Sequence, residues 1–61
     1  MTTYRVDQPV LVFMADVLRL VPGLVVSATT SCVWVALDDR MCPVSADPAD
    51  HFRIQPAEVT A

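Results

Sequence analysis

The 61-residue chain predicts an all-β domain of five short strands curled into a small barrel. Three observations carry that expectation. Apolar residues come in short runs bounded by turn formers, many of them are β-branched or aromatic, and residues 31–44 read as a hairpin around Asp38-Asp39. The first strand of that hairpin, Cys32 to Leu37, is apolar on both faces, whereas a half-buried strand alternates apolar with polar. Its own core can cover only one face, so a partner is implied for the other.

The first element decides the fold. Residues 9–21 can be read as a helix, because Val10, Phe13, Met14, Val17, Leu18 and Val21 recur at helical spacing between Asp7 and the stop at Pro22-Gly23. An α+β fold, with that helix packed on a three-stranded sheet, is therefore the alternative. Against it, Leu11, Val12 and Leu20 would make the helix apolar nearly all round, and Val10, Val12, Phe13, Val17 and Val21 favour strands. The all-β reading places a strand at residues 10–14 and a bend at Ala15-Asp16. A second strand at 18–28 is interrupted by a bulge at Pro22-Gly23.

Thr29-Thr30-Ser31 supplies a polar turn, followed by a strand at 32–37, a two-residue turn at Asp38-Asp39 and a strand at 41–45. That register sets Leu37 opposite Arg40, Val35 opposite Cys42 and Cys32 opposite Ser45. Residues 46–50 form a loop or a single helical turn, and residues 51–55 the last strand. All 61 residues are read as one domain.

This order of elements resembles the Src-homology-3-like small barrels of the Tudor and KOW type, over residues 4–56. The segment Arg19-Leu20-Val21-Pro22-Gly23-Leu24-Val25-Val26-Ser27 matches their bent second strand. The central hairpin corresponds to Val33-Trp34-Val35-Ala36-Leu37-Asp38-Asp39-Arg40, and Asp47-Pro48-Ala49-Asp50 before Phe52-Arg53-Ile54 is similar to the short turn before their final strand. Such barrels bind proteins or nucleic acids. Ligand type does not carry over, because the four aromatic residues, Tyr4, Phe13, Trp34 and Phe52, form no recognisable cage and Arg40 replaces the usual glycine after the acidic turn.

Size and composition bound the function. A domain of this length buries only about 60% of the surface its unfolded chain exposes, yet 54% of the residues are hydrophobic, so apolar area is expected to stay outside. Patches of that kind mark partner or oligomer surfaces, and self-association also supports a small core. Seven acidic residues against four arginines give a net charge of −3. Arg5, Arg19, Arg40 and Arg53 are scattered singly, which argues against nucleic acid. The nucleic-acid-binding barrel is the second functional reading.

The chain has no Lys or Asn and a single Ile, a bias expected of a GC-rich genome, actinobacterial or that of a phage or prophage of such a host. Residues 1–7 are polar and carry Asp7, so no export signal is expected. The apolar run at 10–20 is broken by Asp16 and Arg19 and is short of the ~20 residues of a membrane span. Cytoplasmic residence and no membrane association are the corresponding expectations.

No motif for catalysis or cofactor binding stands out, so neither enzyme activity nor a cofactor is expected. With a two-residue turn, Cys32 and Cys42 fall on opposite faces; with a three-residue turn they lie roughly 13 Å apart along the pleat, beyond disulfide reach. Free buried thiols are expected. A metal or redox role for Cys32, Cys42 and His51 is the third and weakest reading, because a closed site needs about four ligands. Asp38-Asp39 reads as a turn, and His51 as a surface residue. Val33, Val35 and Leu37 form the inward set, so Trp34 faces outward with Cys32 and Ala36, where it is covered either by the second strand or the N-terminal arm of its own chain or by a partner. The expected protein-binding surface comprises Trp34, Cys32, Ala36 and Phe13, with Arg40 and Met41 at its rim, for a protein partner or a second copy of the chain. Pairing along strand edges is a compatible route.

Overall fold

A computed structural model describes residues 4–57. It contains five strands: β1 (Pro9–Met14), β2 (Arg19–Ala28), β3 (Val33–Leu37), β4 (Val44–Ala46) and β5 (Ile54–Pro56). They form one antiparallel sheet in the order β4-β3-β2-β1-β5, curled into a half-barrel. The fold is all-β and compatible with a small Src-homology-3-like barrel. The alternative helix at 9–21 is absent: residues 9–14 and 19–21 lie in strands and residues 15–18 form a turn. Both periodicities were present in that segment, and pairing with β5 and β3 on the flanks selects the extended one.

Strand pleat explains the core. Val10, Val12 and Met14 of β1, Val21 and Val25 of β2, and Val33, Val35 and Leu37 of β3 all point inward and are buried. Tyr4, Ala46 and Ile54 close the ends, and Ala28 and Val44 pack against the cluster. Valines dominate because a β-branched side chain is compact and already restricted in χ1, so ordering it costs little. Tyr4 donates a long hydrogen bond, 3.4 Å, to the Ile54 carbonyl, and burial raises its phenol above the ordinary value.

Gly23 lies in this inward row. A Cβ there would meet the Ala36 carbonyl oxygen at 2.6 Å, Val35 Cγ1 at 2.8 Å and Leu37 Cδ2 at 2.9 Å. The residue is glycine for room, since its φ is not positive. The bulge expected at Pro22-Gly23 is not there, because Leu11 pairs with Pro22 and Val10 with Gly23 without a break. Instead, Val25 pairs with Val35 and Ser27 with Trp34, so Val26 and Ser27 oppose one residue. The extra residue turns Ala28 back toward the core opposite Val33. On the other side of β2, Val25 exchanges hydrogen bonds with residues preceding β1: Asp7 N–H donates to its carbonyl and its own N–H donates to Gln8.

The connections correct three boundaries. The β1–β2 turn takes residues 15–18, with Leu18 in the left-handed region at φ 53° and its N–H donating to the Met14 carbonyl at 2.8 Å. Strand β4 begins at Val44 and pairs Val35 with Val44 and Trp34 with Ser45. The expected register is thus displaced by two residues, and Arg40 to Pro43 lie in the connection. Pro43 lacks the N–H that pairing would need, while Arg40 is held elsewhere. His51 to Arg53 precede β5 as a turn because Asp50 Oδ1 accepts from Phe52 and Arg53 N–H, and the Asp50 carbonyl from Arg53 and Ile54 N–H. The polar turn expected at residues 29–31 is present and takes in Cys32, so that β3 starts at Val33, with Thr29 Oγ1 accepting from Ser31 and Cys32 N–H. Residues 1–3, the beginning of the stretch read for targeting, and residues 58–61 lie outside the described residues.

Two substitutions test this geometry by chemical denaturation. Gly23→Ala is expected to lower stability by about 1–3 kcal/mol, as overpacking does, and an unchanged midpoint would refute the close approach. Leu18→Gly is expected to stabilise, by up to about 1 kcal/mol, by removing a left-handed non-glycine residue, and a loss of stability would contradict that backbone assignment.

Candidate protein-binding face

Side chains that alternate with the core residues form the outer face of β1, β2 and β3. Register places Leu11 beside Pro22, Phe13 beside Leu20, Pro9 beside Leu24, Leu24 beside Ala36 and Ser27 beside Trp34. No ionisable residue occupies these positions, and Val26 at the bulge adds to them. Trp34 is 44% exposed, Leu24 46%, Val26 46% and Leu20 38%. Phe13 and Leu11 are half-buried and Ala36 is exposed. With the exposed Pro9 and Pro22 counted in, the apolar area facing water is roughly 600 Å², at the upper end for the largest patch on an ordinary monomer.

Of the residues expected to bind a partner, Trp34, Ala36 and Phe13 lie on this face. Trp34 is not enclosed by its own chain. Cys32 sits just before β3, half-buried, and hydrogen-bonds through its backbone to Thr29. Met41 lies in the β3–β4 connection, 102% exposed, apart from the sheet. Sequence reasoning did not single out Leu20, Pro22, Leu24 and Val26. Their signal is the alternation of β2, in which both faces are apolar.

Arg40, expected at the rim, is paired within its own chain. Its Nη2 donates to both carboxylate oxygens of Asp16, at 2.8 and 2.7 Å, and its Nε lies 3.3 Å from Asp39 Oδ1 without hydrogen-bond alignment. The pair joins the β1–β2 turn to the β3–β4 connection across 24 residues of sequence. The hydrogen bond from Arg40 holds the Asp16 carboxyl below the usual carboxylate range, and the same bond raises Arg40.

A notch of about 390 Å³ opens beside the first half of β2, lined by Arg19, Leu20, Val21, Pro22, Asp38 and Asp39. It exists because β3 ends at Leu37 opposite Gly23 while β2 continues back to Arg19. Asp38 N–H donates to the Pro22 carbonyl there. Since Leu20 and Pro22 belong to the outer face, the notch is continuous with it.

Strand edges are guarded. The edge strands β4 and β5 have three residues each; Pro43 precedes β4, Pro48 follows it, and β5 ends in Pro56. Short edges bearing proline are poor templates for strand addition, which weakens the edge-pairing route against the face.

Cys32 and Cys42 are both free thiols, but Cys42 is exposed, contrary to the expectation of two buried thiols, because the longer connection carries it out of the sheet. Among the described residues, no three His, Cys, Asp or Glu side chains are grouped to hold a metal. Nor is any helix there long and apolar enough to cross a membrane. Compared with protein-family models, curated proteins and solved structures, the chain matches none.

Acid titration tests the Asp16–Arg40 pair. Because its folded pKa is depressed, Asp16 contributes stability above the unfolded carboxylate value of about 3.9, and that contribution disappears as pH falls through the folded value. Melting of the native chain should therefore exceed that of Asp16→Asn at neutral pH, and the two curves should converge toward pH ~2. Parallel curves across the range would show that the pair contributes nothing.

Proposed function

We propose that the protein is a non-catalytic module that binds a protein partner or assembles with itself through the outer face of β1, β2 and β3. One observation carries the reading: a row of apolar side chains from Leu20 to Trp34 stays in water in the isolated chain. Leaving roughly 600 Å² of such surface wet forgoes about 15 kcal/mol at ~25 cal/mol per Å², whereas burying it against another molecule recovers part of that. Trp34 is the natural anchor, as tryptophan is enriched among binding hot spots.

The acidic balance supports a protein partner over a phosphate backbone, and the engagement of Arg40 with Asp16 leaves less free positive charge. Two free thiols accord with a reducing, cytoplasmic setting. An accessory protein of a phage or prophage in a high-GC host fits the composition.

Photo-crosslinking in cells tests the surface. A photoreactive residue replacing Ala36, at the centre of the face, is expected to give discrete protein adducts, while the same residue replacing Ala49, exposed in the β4–β5 connection, gives none. Equal labelling from both positions, or no adduct from Ala36, would refute the proposal.

A further inference from the structure

We infer that the occupant of this face is a second copy of the chain, related by a twofold axis that crosses the strands at the Leu24–Ala36 pair, with Trp34 of each copy seated in the notch of the other. The inference rests on the outer face being a docking surface and adds its occupant and geometry.

The face is self-complementary about that line. Along β3, Trp34 lies two residues before Ala36 and Asp38 two residues after it. Along β2, Ser27, the partner of Trp34, lies beyond Leu24 on one side and the notch residues Leu20 and Pro22 on the other. Trp34 and the notch are also at the same lateral position, since the notch occupies the space where β3 has stopped. Turning a second copy over about an axis across the strands reverses the strand direction and keeps the lateral position. The exposed part of Trp34 in one copy then meets the hollow of the other, twice, which is the arrangement an isologous interface requires.

Chemistry agrees with shape. A hollow of about 390 Å³ is of the size that accepts a compact aromatic group. Leu20 and Pro22 offer an apolar wall, Asp38 and Asp39 offer carboxylate acceptors for the indole N–H, and Arg19 offers a cation for its ring face. On the axis itself every residue meets its own twin. Leu24 and Ala36 are uncharged there, so two chains of net charge −3 bring no like charges together at the centre.

Area bounds the contact. Two faces of roughly 600 Å² bury at most about 1,200 Å², the lower end of specific interfaces, a size that suits a reversible dimer.

Sedimentation equilibrium of the purified chain up to about 1 mM should show monomer and dimer in exchange. Trp34→Ala is expected to weaken the dimer by about 30-fold or more. Leu24→Arg and Leu24→Asp should each be monomeric, with circular dichroism showing the native fold, because each places like charges across the axis. Mixing these two variants should restore a one-to-one dimer. A native chain that stays monomeric throughout overturns the second copy as occupant, as does a dimer indifferent to both charged variants. If crosslinked adducts from Ala36 then have masses other than twice the chain, the docking face itself survives and only its occupant is wrong. If Ala36 gives no adducts either, both fail.

Discussion

The architecture depends on the space left by the absent side chain of Gly23. At that point β2 passes so close to β3 that a single carbon would strike the Ala36 backbone and the Val35 and Leu37 side chains. Close approach there lets β2 curl while remaining paired with β1 on one side and β3 on the other. The concave side then closes over a core of valines, and the convex side is left with every alternate residue outward. A chain this short cannot shelter both sides. The constraint that makes the core possible is therefore the one that leaves the outer apolar row in water.

The strands and their faces were legible because alternation is a local property. Val33, Val35 and Leu37 point inward and Trp34 outward as the period of two requires, and the turn at residues 29–32 follows from a hydroxyl acting on its own neighbours. What could not be read depends on partners far away in sequence. The β3–β4 register moved by two residues, which preserves which side each residue faces and so leaves the pattern equally satisfied. Its displacement accompanies capture of Arg40 by Asp16, and no spacing rule links those two residues.

Outer-face residues were legible to the same degree. Trp34, Ala36 and Phe13 stand where their strands alternate, whereas the Arg40–Asp16 pair joins residues 24 apart and leaves no local trace. Leu20, Pro22, Leu24 and Val26 were not distinguished because β2 is apolar at nearly every position. Only register with β1 and β3 separates its two sides, and only the pairing around Val26 reveals that the bulge lies three residues beyond Gly23.

Proline placement at the borders of the sheet has a further consequence for a protein this rich in apolar residues. Amyloid growth needs an open strand onto which identical segments stack in register, and here each border is brief and includes or adjoins a residue that cannot donate a backbone hydrogen bond. Crowding the molecule should therefore favour closed, countable assemblies over fibres.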